Sequence, residues 1–309
     1  MNWRWKALLH LALSSVPGGE RLNYIFQTYV TKSLPESEAG FVAKVGYARQ
    51  HIDAIQRYHG RSLQDVTFYE FGAGWDMIIP LAFYGLGVER QILVDIRHLL
   101  RPKLINDAIE KYTAWAAPCE FLRKPNKRLM APFDFAATLK QYYGIDYRAP
   151  CDPRRTGLES GSIDCITSTS TLEHIPLEDI KALLRECHRI LRDEGLMSCV
   201  IDYLDHYSYF DKKISAYNYL QYSDATWALF NPALHYQNRL RHRDYLDLFY
   251  AAGFEVVEEE RYGGTERDLE VIGRLSLDQR FRTYSCQDLA VGSALIVARK
   301  SHAATHRQQ

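Results

Sequence analysis

Three features are scarce in this chain: net charge, long apolar runs and closely spaced cysteine pairs. Its 309 residues hold 38 Lys and Arg against 38 Asp and Glu, so no long-range field draws the protein to nucleic acid or to an anionic membrane surface. No segment reaches the roughly 20 consecutive apolar residues that a membrane-spanning helix needs. We therefore expect a soluble protein that binds no nucleic acid and has no membrane span.

The six cysteines contain no C-x-x-C pair. Cys165 and Cys199 lie inside apolar runs, where a thiol serves as a small apolar side chain. The other four are Cys119, Cys151, Cys187 and Cys286. We predict that all six are reduced, that the protein is cytoplasmic and that it has no metal site.

The N-terminal segment has a short basic start followed by apolar residues at 7–13, an order that superficially resembles a secretory signal. His10 interrupts the apolar residues, and no clear small-x-small cleavage site follows them. These features favour an amphipathic helix that packs on the rest of the protein. Residues 1–64 as a whole are predicted to form a helical N-terminal extension that covers one face of the domain after it.

Strand patterns alternate with helical patterns from residue 66 onward. A helix with apolar residues at steps of three and four is predicted from about 176 to 191. Several short segments around it have the composition of strands, namely 66–71, 91–95, 162–167 and 196–201. Because the last two are apolar without alternation, they are typical of a parallel sheet that helices cover on both faces.

The C-terminal part predicts a helix that ends at Gly253, followed by strands at 254–258 and 294–298. We expect no helix between these two strands and an antiparallel last strand. The predicted fold class is α/β, with a Rossmann-like, doubly wound and mostly parallel sheet over residues 65–300 and a helical N-terminal cover. An insertion after the fifth strand occupies about 203–240, and residues 301–309 form a disordered tail.

Glycines and carboxylates stand at the predicted carboxyl ends of the first two strands, the edge at which open α/β sheets bind ligands. Gly72 and Gly74 permit a tight turn and let the backbone approach a ligand closely. Glu70 precedes this turn, and Asp95 follows Gly74 by 21 positions, a spacing that suits an acceptor for two ribose hydroxyls. The pattern therefore indicates a ligand that contains a nucleoside.

Two residues distinguish between the nucleotide-type ligands that use such a turn. A dinucleotide-binding loop needs a third glycine where Met77 stands. Glu70 would repel a pyrophosphate, whereas it favours a ligand with an ammonium or sulfonium charge. These residues favour S-adenosylmethionine over a nicotinamide dinucleotide. A nicotinamide-dependent oxidoreductase is the first alternative, and a binding module that keeps the fold without turnover is the second.

In the order and spacing of its motifs the sequence resembles the class I S-adenosylmethionine-dependent methyltransferases, in particular a broad small-molecule group of the methyltransferase type 11 kind. The matching motifs are E-F-G-A-G at 70–74, V-D at 94–95, Asp152 with G-S-I-D-C-I at 161–166, L-E-H-I at 172–175 and L-R-D-E-G at 191–195. The resemblance covers about residues 65–205. It departs from the family at Trp75 and Asp76, where a third glycine is common, so this loop is bulkier and suited to closing over the ligand.

The resemblance implies which residues contact the cofactor, S-adenosyl-L-methionine. Glu70 and the glycine turn would lie beside the methionine part, Asp95 on the ribose hydroxyls and Asp152 near the adenine amine. The full set of implied cofactor-binding residues is Glu70, Gly72, Ala73, Gly74, Asp95, Ile96, Asp152 and Ser168. The implied substrate is a small molecule, with an oxygen atom of a glycan or natural-product precursor as the methyl acceptor and a nitrogen atom as the alternative.

Methyl transfer to a hydroxyl needs a base that takes the proton as the new bond forms. The candidates are His174 after the fourth strand, and Asp202, Asp205 and His206 after the fifth. Of these, His174, Asp202 and His206 are the predicted catalytic residues. His206 has a reference pKa of roughly 6.5 and a carboxylate next to it in the chain. For His174 a packing role in its loop is an equal alternative, and for His206 the alternative is a hydrogen-bonded loop histidine.

The insertion at about 203–240 is rich in aromatic residues. They suit either the wall of a substrate pocket or a lid packed against the N-terminal helices. A short basic run, N-R-L-R-H-R, follows at 238–243. We expect this run to be the solvated start of a helix, with contact to an anionic substrate group as the alternative.

Overall fold

A seven-stranded sheet forms the centre of the computed structural model, which describes residues 2–16, 18–29, 33–72, 74–115, 121–129 and 135–301. The strands are β1 (Thr67–Phe71), β2 (Arg90–Val94), β3 (Ile145–Arg148), β4 (Ile163–Thr169), β5 (Leu191–Asp202), β6 (Phe254–Gly263) and β7 (Val291–Lys300). Their order across the sheet is β3-β2-β1-β4-β5-β7-β6. Ala73, Cys119 and residues 302–309 of the predicted tail lie outside the described residues.

The first five strands are parallel, and β7 runs antiparallel between β5 and β6. This arrangement confirms the predicted Rossmann-like sheet with an antiparallel last strand. The sequence pattern did not predict β3. Only Ile145 is buried among the four residues of this strand, so no apolar run marks it.

Helices cover both faces of the sheet. They are α1 (Trp3–Ser14), α2 (Gly19–Tyr29), α3 (Glu38–His59), α4 (Ile78–Gly85), α5 (Pro102–Ala114), α6 (Phe135–Tyr143), α7 (Leu177–Ile190), α8 (Asp224–Ala228), α9 (His242–Ala251), α10 (Glu266–Gly273) and α11 (Cys286–Ala290). The first three form the helical N-terminal cover that the sequence predicted. Among the helices described here, none combines the length and the apolar character needed to cross a membrane.

The expectation of no helix between the last two strands is wrong, because α10 and α11 lie there. Each begins with a capping box, in which Thr265 or Ser285 exchanges hydrogen bonds with Asp268 or Asp288 three positions later. These boxes are the sequence signal for both helices. α10 is eight residues long and fully buries only Ile272, and α11 is a little over one turn long, so neither has the long apolar stripe that predicts a helix.

Two apolar cores lie on the two faces of the sheet. Successive residues of β1 serve opposite faces: Phe68 packs with residues of α3 and α4, whereas Tyr69 packs with residues of α7 and α9. Val45 and Ile52 of α3 belong to the first core, so this helix is part of the layered body itself. The central strands are therefore apolar on both sides, as expected for a covered parallel sheet.

A third apolar cluster joins α1 to the insertion after β5. The ring of Trp3 lies 5.5 Å from that of Tyr207 and 4.9 Å from that of Phe230. The backbone N–H of Trp3 donates to the carboxylate of Asp211 at 3.0 Å. Aromatic side chains of the insertion thus pack against the N-terminal cover, which is the second of the two roles expected for them.

The basic run at 238–243 is not a solvated helix start, so that expectation is wrong. Arg241 is fully buried, and its guanidinium donates to three backbone carbonyl oxygens, those of Tyr203, Leu289 and Val291. Arg239 is also buried. Arg241 therefore ties the insertion to the segment that leads into β7.

Candidate functional site

A cavity of about 560 Å³ opens at the carboxyl ends of β1, β2 and β4, where the strand order reverses between β1 and β4. Ligands of open α/β sheets bind at such a point, and the volume is usual for a small-molecule site. We call it the switch-point cavity. The predicted site residues that line it are Glu70, Gly72, Gly74, Asp95, Ile96, Asp152 and His174.

The turn between β1 and α4 adopts conformations that favour glycine. Gly72 and Gly74 have φ angles of +80° and +66°, in the left-handed region that other residues rarely adopt. A Cβ atom on Gly72 would lie 2.4 Å from Oγ1 of Thr171, whereas one on Gly74 would meet no atom within 4 Å. Glycine at 72 therefore permits close approach to the loop after β4, and glycine at 74 leaves open space beside the cavity.

Glu70 is a buried acid near the end of β1. It is 4% exposed, and its Oε2 atom has no hydrogen-bond partner among the described residues. Burial raises the pKa of its carboxyl group to about 8. Because a buried carboxylate without a partner is unfavourable, a cationic group bound beside it would be stabilised. Glu70 therefore suits the positive end of a ligand.

Asp95 follows β2 and is buried. Its Oδ1 atom accepts a hydrogen bond from the backbone N–H of Arg97 at 3.0 Å, which orients the carboxylate. The next residue, Ile96, is 54% exposed, so an apolar side chain is available at the cavity wall. A carboxylate and an apolar surface at the end of the second strand suit a ribose and the base attached to it.

Asp152 is held by an arginine two positions later. Its Oδ1 atom accepts hydrogen bonds from the backbone N–H and from Nε of Arg154, both at 2.9 Å. This bonding to Arg154 holds the pKa of the Asp152 carboxyl below its usual value. Arg154 also pairs with Asp179 of α7, so two acids and one arginine form a network at this side of the cavity.

Lys44 and Asp76 are among the cavity residues that were not predicted. Lys44 of α3 pairs with Asp76 at 2.7 Å and with Glu36 at 3.1 Å. Asp76 also accepts a hydrogen bond from the backbone N–H of Ile78 at 3.2 Å, where α4 begins. In the sequence Asp76 stood out only as a departure from the family motif. Lys44 had no signal, because it comes from a helix that precedes the motif.

Trp75 lines the cavity and is held by the N-terminal cover. Its ring stacks on that of Tyr24 in α2, with centroids 5.7 Å apart and planes inclined by 16°. The guanidinium of Arg101 lies over both rings, 5.4 Å from the centroid of Trp75 and 5.3 Å from that of Tyr24. The bulky residue after the glycine turn thus connects α2 to the cavity.

The three predicted catalytic residues lie together beside the cavity. His174 ends a short 3-10 turn after β4, and its Nδ1 atom lies 2.7 Å from the carbonyl oxygen of Tyr236. His206 begins a similar turn after β5, and its Nε2 atom lies 3.2 Å from Oδ2 of Asp202. The two imidazole rings meet edge to face, with centroids 4.9 Å apart. They meet because β4 and β5 are neighbours in the sheet.

Glu173 belongs with these residues and was not predicted, although the L-E-H-I motif contains it. It is 3% exposed, and neither carboxylate oxygen has a hydrogen-bond partner among the described residues. Burial raises its pKa well above the usual value, and the nearby charge of Asp202 adds to the shift. One ligand atom each from Glu173, His174 and His206 lie within 4.8 Å of one another. Glu173, His174, Asp202 and His206 are called the histidine cluster below.

Ser168 does not line the switch-point cavity. It is buried within β4, and its hydroxyl has no hydrogen-bond partner among the described residues. The three residues after it, Thr169, Ser170 and Thr171, line the cavity. Cofactor binding by Ser168 stays a prediction. The catalytic roles of Asp202 and His206, which are not among the lining residues, also stay predictions.

The family model described as Methyltransferase domain matches residues 47–259 of this chain. No protein with a curated description matches the sequence.

Several solved structures are similar to this chain. One is geranyl diphosphate C-methyltransferase from Streptomyces coelicolor A3(2) in complex with Mg²⁺, geranyl diphosphate and S-adenosyl-L-homocysteine, with 14% identity and a TM-score of 0.49 over 88% of this chain and 89% of that chain. Another is 1,6-didemethyltoxoflavin-N1-methyltransferase from Burkholderia thailandensis with bound 1,6-didemethyltoxoflavin and S-adenosylhomocysteine, with 14% identity and a TM-score of 0.47 over 91% and 87%. A third is the YcgJ protein from Bacillus subtilis, with 15% identity and a TM-score of 0.45 over 84% and 98%.

Proposed function

The chain belongs to the methyltransferase-domain family and is an S-adenosyl-L-methionine-dependent methyltransferase, and we propose that it methylates an oxygen atom of a small molecule. The acceptor class that we propose is a glycan or natural-product precursor. The observation that carries the proposal is a cavity lined by Glu70, Asp95 and Asp152 with the histidine cluster beside it. Family membership sets aside the alternative of a nicotinamide-dependent oxidoreductase.

The residues of the switch-point cavity fit the parts of this cofactor. Glu70, whose buried Oε2 atom has no hydrogen-bond partner among the described residues, suits the ammonium and sulfonium charges. Asp95 suits the two ribose hydroxyls, and Asp152 suits the adenine amine as a hydrogen-bond acceptor. The open space at Gly74 leaves room for the amino-acid part. The remaining contacts in the proposal are Gly72, Ala73, Ile96 and Ser168.

The cofactor supplies an electrophilic methyl group on a positively charged sulfur. Displacement at that carbon depends mainly on the alignment of the acceptor atom, and a hydroxyl acceptor must also lose its proton as the new bond forms. The pair of Asp202 and His206 is suited to take that proton, because Nε2 of His206 lies 3.2 Å from Oδ2 of Asp202. The hydroxyl of Tyr209 donates to the same carboxylate and holds it in this orientation.

His174 connects the histidine cluster to the cavity, since it lines the cavity and its ring contacts that of His206. The carbonyl oxygen of Tyr236 can only accept a hydrogen bond, so Nδ1 of His174 carries the proton between them. Nε2 of the neutral ring is then an acceptor. In this proposal His174 packs against the ring of His206, and the Asp202 and His206 pair takes the proton of the acceptor hydroxyl.

Calorimetric titration with S-adenosyl-L-homocysteine tests the cofactor side. We expect one site per chain, and we expect Asp95→Ala to weaken binding by about tenfold or more, because hydrogen bonds to the ribose are lost. Asp193→Ala is the matched control, since the Asp193 side chain is 84% exposed. Absence of binding by the native protein would overturn the proposal.

Incubation with methyl-labelled S-adenosyl-L-methionine and an extract of the source cells tests the acceptor side. A labelled small molecule with a new O-methyl group supports the proposal. Label found only on protein, nucleic acid or a nitrogen atom would overturn it. Cofactor binding without transfer to any compound of the extract or of a panel of hydroxylated small molecules would also overturn it, in favour of a binding module.

The proposal includes a cytoplasmic location and no nucleic-acid partner. The equal numbers of acidic and basic residues support this, as do the free thiols of the described cysteines, Cys151, Cys165, Cys187, Cys199 and Cys286. Fractionation of the source cells tests the location. Recovery of the protein outside the cytoplasmic fraction would contradict it.

A further inference from the structure

We propose that the histidine cluster is a metal site, in which Glu173, His174 and His206 bind one divalent transition-metal ion beside the switch-point cavity. No metal site was expected because the sequence has no C-x-x-C pair. The ligands of the proposed site are imidazole and carboxylate groups instead. Binding of the ion is independent of the proposed function. Only its role toward the methyl acceptor, described below, rests on that function.

The spacing of the three side chains suits a single ion. Metal ligands lie about 2.0 to 2.5 Å from their ion, and one ligand atom of each residue lies within 4.8 Å of the other two. A common centre therefore needs only small side-chain adjustments. Glu173 and His174 share the turn after β4, and His206 begins the turn after β5. Paired neighbouring strands hold these turns side by side.

The carboxyl group of Glu173 is a second, independent observation. It is buried, and neither oxygen has a hydrogen-bond partner among the described residues. Nearly all buried polar atoms have partners, because an unpaired buried carboxylate loses its hydration without compensation. The charge of Asp202 adds repulsion. A bound cation would compensate both carboxylates at once.

The imidazole of His174 is held by a neighbour as ligating histidines usually are. Nδ1 of His174 lies 2.7 Å from the carbonyl oxygen of Tyr236, so the lone pair is on Nε2. The ring of His206 stacks on that of Tyr209, with centroids 5.3 Å apart and planes inclined by 27°. Asp202 lies beside the site, with Oδ2 at 3.2 Å from Nε2 of His206.

The donor set selects the class of ion. Two imidazole nitrogens and one carboxylate oxygen suit ions such as Zn²⁺, Mn²⁺, Fe²⁺ or Co²⁺, whereas Mg²⁺ and Ca²⁺ prefer oxygen ligands. Three protein ligands leave coordination positions for water or for a substrate oxygen. The site is thus of the open kind that takes part in reactions.

Toward the methyl acceptor, such an ion would lower the pKa of a coordinated hydroxyl. The O–H bond of the acceptor breaks, and its proton passes to the carboxylate of Asp202. The new O–CH₃ bond forms as the S–CH₃ bond breaks, and the electron pair of the broken bond stays on sulfur. In this step His206 is a ligand, and Asp202 is the member of the pair that receives the proton.

Titration with Co²⁺ tests the site, because the visible absorption of bound Co²⁺ reports its ligands. The full chain is first freed of metal by dialysis against a chelator. We expect one Co²⁺ per chain, displaced by Zn²⁺, and we expect Glu173→Gln to weaken Co²⁺ binding by about tenfold or more. His206→Ala is the second ligand variant, for the case in which Glu173→Gln does not fold.

His235→Gln is the matched control. The ring of His235 lies 6.2 Å from that of His206, but His235 is outside the group of three ligands. We therefore expect this variant to bind Co²⁺ as the native chain does. Loss of the ion in His235→Gln together with full binding in Glu173→Gln and His206→Ala would overturn the assignment.

Binding of S-adenosyl-L-homocysteine, measured on the same samples, distinguishes the two proposals. If the native chain binds S-adenosyl-L-homocysteine but no Co²⁺, Zn²⁺ or Mn²⁺, the metal site is wrong and the proposed function stands. An ion that is retained by both ligand variants lies elsewhere and also overturns the metal site. Absence of S-adenosyl-L-homocysteine binding overturns the proposed function, whatever the result with Co²⁺.

Discussion

On the side of the site that we propose for the cofactor, Glu70 lies near the end of β1 before the glycine turn, and Asp95 follows β2, so the end of a single strand positions each group. On the side that we propose for the acceptor, the histidine cluster combines the turns after β4 and β5 and is held by Tyr236 of the insertion. The first side is therefore specified by short motifs. The second depends on packing between segments that are distant in the chain.

The two sides also show two kinds of acid. Asp152 and Asp76 are paired with Arg154 and Lys44 and stabilise the cavity wall. Glu70 and Glu173 are buried with oxygen atoms that have no partner among the described residues. Because such an arrangement is unfavourable without a cation nearby, the acids of the second kind indicate where a ligand supplies positive charge. One lies on each side of the site.

Asp202→Asn should have the largest effect, because it should impair turnover without impairing cofactor binding. We expect the turnover number to fall by about 100-fold to 10,000-fold, the usual effect of losing a proton acceptor, while affinity for S-adenosyl-L-homocysteine stays within about twofold. Steady-state kinetics with the identified acceptor and calorimetry measure the two quantities. Asp193→Asn, at an exposed position, should change neither. An equal loss of turnover and of cofactor affinity would show that the two sides are not separable.

Glu70→Gln tests the buried charge of the cofactor side through stability. Burial raises the pKa of Glu70 from 4.5 to about 8. The unfolding free energy is therefore highest below pH 4.5, where the carboxyl group is neutral in both states, and this stability is lost as pH rises through 8. Between about pH 5 and 9 the native chain should lose on the order of 4 kcal/mol more unfolding free energy than the variant. Urea unfolding without ligand measures this difference.

Glu178→Gln is the control for this comparison, since the Glu178 side chain is 79% exposed. It should keep the pH dependence of the native chain. The same pH dependence in Glu70→Gln would mean that Glu70 carries no unusual charge in the folded protein.

Gly72→Ala should have a smaller effect. It is compared with Gly157→Ala, because a Cβ atom at 72 would contact Thr171 whereas one at 157 would contact no described residue. Gly72 and Gly157 both have positive φ angles, +80° and +70°, but only at 72 would a Cβ atom contact the loop after β4. We expect Gly157→Ala to cost about 1 kcal/mol of unfolding free energy and Gly72→Ala about 2 to 3 kcal/mol. Gly72→Ala should also weaken cofactor binding. Equal costs in urea unfolding would mean that Thr171 moves aside freely.

Tyr24→Ala should have the smallest effect, because Tyr24 acts on the cavity only through Trp75. Loss of the stacked ring should weaken binding of S-adenosyl-L-homocysteine by about threefold, within the energy of an aromatic pair. Tyr29→Ala in the same helix is the control, since Tyr29 is 67% exposed. Identical affinities of the two variants in calorimetry would mean that the N-terminal cover does not support the cavity wall.

The errors of sequence reasoning have physical causes. A run of arginines is usually solvated, but Arg241 is buried because three carbonyl oxygens from two distant segments accept its hydrogen bonds. The helices α10 and α11 were missed because each is too short for a long apolar stripe. Capping boxes mark their starts instead. β3 lies at the edge of the sheet and has one buried residue, so it has no apolar run.

Local interactions encoded the α/β class, the glycine turn and the acids at the ends of β1 and β2. Backbone preferences and apolar patterns act within a few residues, and the carboxyl ends of parallel strands share one edge of the sheet, so these features were readable in the chain. Folding in three dimensions alone decided that Glu173 is buried without a hydrogen-bond partner in the described part of the chain and that His174 contacts His206. Both facts depend on the adjacency of β4 and β5 and on the insertion that brings Tyr236 to His174, and no pattern of neighbouring residues specifies such long-range packing.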